Sequence, residues 1–207
     1  MKLIRTVILA KAPIAGFAKT RLIPKLGAQG AAELAAWLIK YTVNQALNAN
    51  IGPVELCVTP DRNHQLWRKL ELADDITWSK QGVGDLGNRL ARIAKRVIDK
   101  KEAVLLIGTD CPQLDKEKLR HAALVLQTAD ACLIPAEDGG YTLLGLQQFH
   151  PSLFVNIPWS TNKVAEITRQ RIRLLKWNMR ELPSLNDIDH PEDLKWLPAD
   201  WSEIAAY

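Results

Sequence analysis

The chain has 207 residues, enough for one well-packed α/β domain and too few for two of ordinary size. Hydrophobic residues make up 47% and charged residues 24% of the chain, and these proportions exclude an intrinsically disordered protein. The net charge of +4 suits an anionic small ligand, but the basic residues form no concentrated stripe of the kind that binds nucleic acid. We therefore expect one domain over residues 1–207 and no nucleic-acid partner.

The cysteines and the N-terminal segment indicate a compartment. Cys57, Cys111 and Cys132 share no spacing typical of a metal site and cannot all pair with one another, which fits a reducing environment. The apolar run from Thr6 to Ala10 is too short for a signal peptide, and no other stretch approaches the length of a membrane span. We expect a cytoplasmic protein that spans no membrane.

Short apolar runs alternate with longer amphipathic stretches, the rhythm of βαβ units, and this predicts an α/β fold with a mostly parallel sheet. The predicted strands are Leu3–Leu9, Val54–Val58, Ile76–Trp78, Ala103–Ile107, Ala131–Ile134, Tyr141–Leu146 and Arg173–Trp177. The predicted helices are Ala28–Asn48, His64–Leu72, Gly87–Lys100, Lys116–Gln127, Lys163–Arg171 and a last helix from Glu192. Because Asp138-Gly139-Gly140 is a turn signal between two strands, the sheet is predicted to be mixed.

The loop after the first predicted strand, from Ala10 to Leu26, is rich in glycine, proline and basic residues. Ligands of open α/β sheets bind beyond the carboxyl ends of the strands, so this loop is a candidate phosphate-binding segment. Gly16 lets backbone amides approach a phosphate, and Lys19 and Arg21 can add charge-assisted hydrogen bonds. The spacing is not that of a Walker A loop, and a solvated basic loop is the alternative.

A second candidate loop runs from Gln81 to Leu90, where three glycines lead into a predicted helix. The N-terminus of a helix is a natural anion site, because its first amides have no partner within the helix. The alternative is a flexible turn in which Asp85 caps that helix.

Two groups of acidic residues also lie near predicted strand ends. Asp110 follows the strand Ala103–Ile107, where a carboxylate suits Mg²⁺ or Mn²⁺, and capping of the next turn or helix is the alternative. Asp187 and Asp189 alternate as on an extended segment, so both can face one site. Asp189 is equally well placed to cap a helix that begins near Pro191.

The segments that carry these residues follow one another in a characteristic order: Ala10-Lys11-Ala12-Pro13 with Gly16 and Lys19-Thr20-Arg21-Leu22, Gly84-Asp85-Leu86-Gly87 with Arg89-Leu90, Gly108-Thr109-Asp110-Cys111-Pro112, Asp138-Gly139-Gly140-Tyr141 with Leu143-Leu144-Gly145, Trp159-Ser160-Thr161, and Asp187-Ile188-Asp189. Over nearly the whole chain, this ordered set resembles the small bacterial glycosyltransferase-A-type (GT-A) proteins. The run from Ala18 to Leu22 is also similar to that of 2-phospholactate guanylyltransferases, and the layout resembles nucleotidyltransferases that build molybdopterin or sugar nucleotides. The resemblance implies a single-domain, Rossmann-like GT-A fold, which is the nucleotide-diphospho-sugar transferase fold.

The resemblance implies a metal site as well. Asp110 would occupy the position of the metal-binding aspartate, but Gly108 stands where the first aspartate of the usual Asp-X-Asp pair would be. A divalent metal, Mg²⁺ or Mn²⁺, would then need Asp187 or Asp189 as a further ligand.

The leading hypothesis is metal-dependent glycosyl transfer from a nucleotide-activated sugar to an acceptor hydroxyl. The residues assigned to the nucleotide are Lys11, Pro13, Gly16, Lys19, Arg21, Gly84, Asp85 and Arg89. Asp138 would position or deprotonate the acceptor, and Gly139 and Gly140 would allow its close approach. Tyr141 and Trp159 would form the wall of the acceptor pocket.

Two alternatives remain open. In nucleotidyl transfer, the same loop would hold a nucleoside triphosphate while a phosphorylated metabolite attacks its α-phosphate. A nucleotide-binding module without catalysis is the second alternative, and the number of acidic residues argues against it. The less regular segment from Phe149 to Leu185 is a candidate for the acceptor side or for a contact between subunits of a homo-oligomer.

Overall fold

The strands of the computed structural model, which describes residues 2–198 and Trp201, form a single sheet. They are β1 (Ile4–Lys11), β2 (Val54–Thr59), β3 (Thr77–Lys80), β4 (Ala103–Ile107), β5 (Ala131–Pro135), β6 (Tyr141–Leu146) and β7 (Met179–Glu181). Their order across the sheet is β3-β2-β1-β4-β6-β5-β7. β6 is antiparallel to both of its neighbours, and every other pairing is parallel. The prediction of a mostly parallel, mixed sheet is therefore confirmed.

Helices cover both faces of this sheet. They are α1 (Ile23–Ala49), α2 (Gln65–Lys69), α3 (Leu86–Asp99), α4 (Lys116–Leu126) and α5 (Val164–Leu174), with 3₁₀ turns at Thr20–Leu22, Pro151–Leu153 and Pro191–Trp196. Neighbouring residues of β4 point to opposite faces, so Leu105 packs in the core under α1 and α4, whereas Val104 packs in the core under α3 and α5. All five residues of β4 are buried, as expected for a central strand covered on both sides.

The strand directions decide where loops meet. All strands except β6 run the same way, so the loops that follow β1, β3, β4 and β7 and the turn between β5 and β6 emerge at one edge of the sheet. The chain order reverses between the adjacent strands β1 and β4, and such a switch point opens a crevice at that edge. All four loops that the sequence singles out therefore lie around the same crevice.

One predicted element is wrong, and another is present as a different type of helix. The span predicted as the strand Arg173–Trp177 begins as the last turn of α5, because Ile172 continues the buried stripe of Val164 and Thr168 at intervals of four residues. The strand β7 starts only at Met179. The helix predicted from Glu192 is the short 3₁₀ helix Pro191–Trp196.

The N-terminal helix begins earlier than the sequence suggests. The structure assigns helix from Ile23, inside the predicted loop, and Gly27 interrupts it with a φ of 71°. A positive φ is a conformation that glycine adopts at little cost. In the described part of the chain, no helix has both the length and the apolar character needed to cross a bilayer.

Gly145 in the middle of β6 sits where a larger residue does not fit. An added Cβ would lie 2.4 Å from Sγ of Cys132 and 2.9 Å from Cδ2 of Leu105. Both neighbours are buried in the core, so they have little room to move.

We therefore expect Gly145→Ala to lower the free energy of unfolding by about 1–3 kcal/mol, the usual cost of an overpacked core. Urea denaturation followed by circular dichroism measures this difference. Gly108→Ala is the matched control, because nothing lies within 4 Å of its added Cβ. Equal stability of both variants and the original protein would contradict this account of β6.

Candidate functional site

A cleft of about 600 Å³ opens at the switch point, beyond the carboxyl ends of β1 and β4. Its size is that of a small-molecule site. It is lined by Leu9, Lys11, Phe17, Ala18, Lys19, Thr20, Arg21, Ala35, Ile39, Thr59, Gln81, Leu86, Arg89, Leu90, Leu106, Ile107, Gly108, Thr109, Asp110, Tyr141, Thr142 and Asp189. Seven of the residues that the sequence assigns to a site are in this lining: Lys11, Lys19, Arg21, Arg89, Asp110, Tyr141 and Asp189.

Lys19 joins three distant segments of the chain at one side of the cleft. Its Nζ lies 2.5 Å from Oδ1 of Asp110 and 3.2 Å from Oδ1 of Asp189, and it also donates a hydrogen bond to the backbone carbonyl of Ile188. Burial of the ammonium by itself lowers its pKa, but the negative charges of Asp110 and Asp189 outweigh this, so the pKa of Lys19 is raised. Lys19 is therefore a protonated, buried cation between two carboxylates.

The alternative roles as helix caps do not account for Asp110 and Asp189. The N-cap of α4 is Asp115, whose Oδ1 accepts from the amide of Lys118 at 2.9 Å. At the last 3₁₀ helix, the N-cap is His190, whose amide donates to Asp193 Oδ2 at 2.7 Å. Other residues therefore cap these helices, and both Asp110 and Asp189 line the cleft.

A backbone hydrogen bond fixes the two acidic segments to each other. The amide of Ile188 donates to the carbonyl of Asp110 at 2.8 Å, and the side chain of Ile188 is buried under α1. Asp187 and Asp189 flank this anchored residue. The segment after β7 is thereby held against the loop after β4.

Asp187 does not line the cleft, but it lies two residues before Asp189 and has a raised pKa. Its burial and the negative charges of Asp138, Asp189 and Asp110 raise the pKa of Asp187 to about 6. Among the described residues it forms no ion pair, and a backbone hydrogen bond offsets these effects only in part. A bound cation would offset the repulsion, and carboxylate oxygens are the ligands that Mg²⁺ and Mn²⁺ favour.

The acidic residues are not arranged as a finished metal centre. Within residues 2–198 and Trp201, no group of three or more histidine, cysteine, aspartate or glutamate side chains is close enough together to hold a metal ion. Two carboxylates instead converge on the ammonium of Lys19, which shows that this point attracts a cation. The chemistry of the donor set thus fits a divalent metal, with Lys19 at the point of convergence.

Arg89, which also lines the cleft, is oriented by two hydrogen bonds. Its Nε donates to the carbonyl of Gly84 at 3.0 Å, and its Nη1 donates to Oε1 of Gln81 at 3.0 Å. Gln81 is itself fixed, because its amide nitrogen donates to the carbonyls of Ala10 and Cys57 at the ends of two strands. This buried glutamine was not among the predicted site residues, and its only signal in the sequence is a polar side chain close to the end of a strand.

Lys11 and Arg89 are the cations of the cleft that have no acidic partner. Neither side chain forms an ion pair with any described residue, and Lys11 Nζ donates only to the carbonyl of Phe17, at 3.1 Å. Three of the five N–H groups of Arg89 likewise have no acceptor among residues 2–198 and Trp201. Lys19 and Arg21, in contrast, both contact Asp189.

The other residues assigned to the nucleotide have structural tasks of their own. Pro13 is buried, and Gly16 and Gly84 adopt positive φ values of 81° and 101°. Asp85 caps α3, because its Oδ1 accepts from the amide of Asn88 at 2.8 Å. None of these four residues lines the cleft, although Gly84 also positions Arg89.

Of the predicted catalytic and acceptor residues, Asp138, Gly139, Gly140 and Trp159 do not line the cleft. Oδ1 of Asp138 accepts from the amide of Gly140 at 2.8 Å and so closes the turn between β5 and β6. An added Cβ on Gly139 would lie 2.2 Å from the carbonyl of Asn162, so the turn packs closely on the loop before α5. The rings of Tyr141 and Trp159 contact each other edge to face, with their centroids 6.4 Å apart. Tyr141 lines the cleft, whereas Trp159 does not.

Cys111, next to Asp110, is buried in the core. Burial raises the pKa of its thiol to about 12, which disfavours the reactive thiolate.

Comparison with solved structures identifies the fold. A protein from Desulfovibrio desulfuricans G20, described as a candidate nucleotide-diphospho-sugar transferase, is 29% identical over 94% of this chain and 85% of that chain, with a TM-score of 0.86. The 4-diphosphocytidyl-2C-methyl-D-erythritol synthase of Anaerococcus prevotii DSM 20548 is 11% identical over 97% and 99% of the two chains, with a TM-score of 0.63. Rv0371c of Mycobacterium tuberculosis H37Rv, solved in complex with manganese, is 18% identical over 94% and 97%, with a TM-score of 0.50.

The second and third likenesses show only a shared fold, because their identities are low. None of the curated proteins matches the chain significantly. Residues 42–161, more than half of the chain, match the family described as uncharacterized protein conserved in bacteria, DUF2064. The chain, whose fold is that of the nucleotide-diphospho-sugar transferases, is therefore a member of the DUF2064 family.

Proposed function

We propose that this protein is a metal-dependent transferase that moves a sugar from a nucleoside diphosphate to an acceptor hydroxyl. The observation that carries the proposal is that one cleft is lined both by cations without an acidic partner, Lys11 and Arg89, and by the carboxylates of Asp110 and Asp189. We call these its cationic side and its acidic side; Asp187 does not line the cleft but precedes Asp189 by two residues. A donor with a diphosphate and a divalent cation complements both sides at once. The resemblance to the Desulfovibrio protein over 94% of the chain supports the sugar donor.

The cationic side would bind the nucleotide. The free N–H groups of Lys11 and Arg89 can donate to phosphate or base oxygens, and Gln81 keeps Arg89 in place without neutralising it. Asp110, Asp187 and Asp189 would hold Mg²⁺ or Mn²⁺, which when bound neutralises the charge that develops on the departing diphosphate. The manganese complex of Rv0371c supports a metal in a protein of this fold.

Asp138 would act on the acceptor. Its negative charge helps to raise the pKa of Asp187, and this proximity supports a role beside the acidic side of the cleft. A carboxylate there can accept the proton of the attacking hydroxyl. Its turn hydrogen bond to Gly140 uses Oδ1, and this leaves Oδ2 for that task.

Nucleotidyl transfer from a nucleoside triphosphate is the second candidate. Four cationic side chains, Lys11, Lys19, Arg21 and Arg89, line the cleft, and a triphosphate carries more charge for them to balance than a diphosphate. The cytidylyl-transferring protein of Anaerococcus shares the fold. A cytoplasmic location, which the sequence predicts, and a homo-oligomer, which the sequence leaves open, are proposals as well.

Ligand screening separates the two candidates. We expect an NDP-sugar with Mn²⁺ to raise the melting temperature, because a ligand at a hundredfold excess over its Kd adds about 2.7 kcal/mol of stability. Incubation with an acceptor should then release a nucleoside diphosphate. Pyrophosphate release from a nucleoside triphosphate, without turnover of any NDP-sugar, would instead establish nucleotidyl transfer.

Asp110→Asn tests the metal ligand. Loss of the carboxylate should abolish most of the Mn²⁺-dependent thermal shift and lower kcat/KM roughly 100-fold, since metal stabilisation of a transition state contributes several kcal/mol. Asp99→Asn is the matched control, because Asp99 lies at the end of α3 and pairs with Lys95 on the surface. A full Mn²⁺ response in Asp110→Asn would remove Asp110 from the site.

Asp138→Asn tests the acceptor base. Asparagine can still accept the hydrogen bond from Gly140, so the turn should persist while the proton acceptor is lost. We expect kcat to fall by about 10²–10⁴-fold, with the KM for the NDP-sugar almost unchanged. Steady-state kinetics measures both quantities, with Glu137→Gln as the neighbouring control. An unchanged kcat would limit Asp138 to its turn.

A further inference from the structure

The ammonium of Lys19 occupies the point at which the carboxylates of the proposed metal site converge. An ammonium has three N–H donors, and three oxygens surround this one: Oδ1 of Asp110, Oδ1 of Asp189 and the carbonyl of Ile188. The side chain of Lys19 is only 7% exposed. Every donor is therefore in use, and none is available to a phosphate.

Carboxylate and carbonyl oxygens are also the ligands of a divalent metal. A metal ion bound at this same point, on Oδ1 of Asp110 and Oδ1 of Asp189, would take the position that the ammonium now holds, and two cations in direct contact repel each other. A metal at this point therefore requires Lys19 to move away.

We propose that Lys19 is a resident counter-ion of the metal site, which divalent metal displaces and which then turns to the phosphates of the nucleotide. This inference rests on the metal-dependent function proposed above and adds the form of the substrate: nucleotide and metal bind as a pair. Phosphate oxygens replace the partners that Lys19 loses, so the diphosphate facilitates the exchange. Metal and diphosphate consequently raise each other's affinity.

Arg21 provides a matched comparison on the same loop. It also pairs with Asp189, at 3.4 Å, but its side chain is 58% exposed and it does not contact Asp110. Removing its charge therefore changes the net charge by the same amount as removing that of Lys19, without emptying the point between the carboxylates.

The test is Mn²⁺ titration without nucleotide, followed by electron paramagnetic resonance, for the original protein, Lys19→Met and Arg21→Met. We expect Lys19→Met to bind Mn²⁺ about tenfold more tightly than the original protein, which is within the usual range of coupling between sites. Arg21→Met should change the affinity for Mn²⁺ much less. Inorganic pyrophosphate should raise the Mn²⁺ affinity more in the original protein than in Lys19→Met. Circular dichroism melts verify that each variant is folded.

A second measurement needs no variant. Brief acetylation of the native protein, quantified by mass spectrometry, reports the accessibility of the Lys19 amine. Saturating Mn²⁺ should increase acetylation of Lys19 and leave that of Lys95, a surface lysine on α3, unchanged. This measurement decides the question if Lys19→Met does not fold.

This inference would be overturned if folded Lys19→Met bound Mn²⁺ no more tightly than the original protein. It would also be overturned if saturating Mn²⁺ did not change the acetylation of Lys19. Neither result would contradict the metal site itself. Failure of all three proteins to bind Mn²⁺ would overturn the proposed metal and the role of Lys19 together.

Discussion

The contact of Lys19 with Asp110 and Asp189 connects the beginning, the middle and the end of the chain. Lys19 and Asp189 are 170 positions apart in sequence, yet the ammonium and the carboxylate lie 3.2 Å apart. The loop after β1, the loop after β4 and the segment after β7 must all be correctly placed for this contact to form. The cleft exists in this shape because these three segments are bound to one cation.

The charges in and beside the cleft are only partly balanced by partners among the described residues. Asp187 is held near other carboxylates with its pKa raised to about 6, an arrangement that costs free energy unless a cation joins it. On the other side, Arg89 is oriented by neutral partners, Gln81 and a backbone carbonyl, which leave its charge unbalanced. Perturbed acidic groups and unpaired cations that face one cleft are typical of functional sites.

The local pattern of the sequence accounts for most of the fold. The buried strand β4 and the amphipathic helices α3 and α4 were predicted within one or two residues, because their apolar residues repeat with the period of a strand or a helix. The prediction is wrong in the region after α5, where exposed Leu174 and half-buried Trp177 mimic a strand. Apolar content alone does not distinguish a helix end from a short edge strand.

The sequence by itself determined the alternation of strands and helices and the four loops at which ligand-binding residues had to be sought, since both depend on neighbouring residues. Only the tertiary structure decided which acidic residues cap helices and which face the cleft: Asp85 and Asp115 cap, whereas Asp110 and Asp189 bind Lys19. It also decided that Gln81 orients Arg89. The physical reason is that a charged side chain acts on whatever lies within a few ångströms, and those neighbours come from strands that are far apart along the chain.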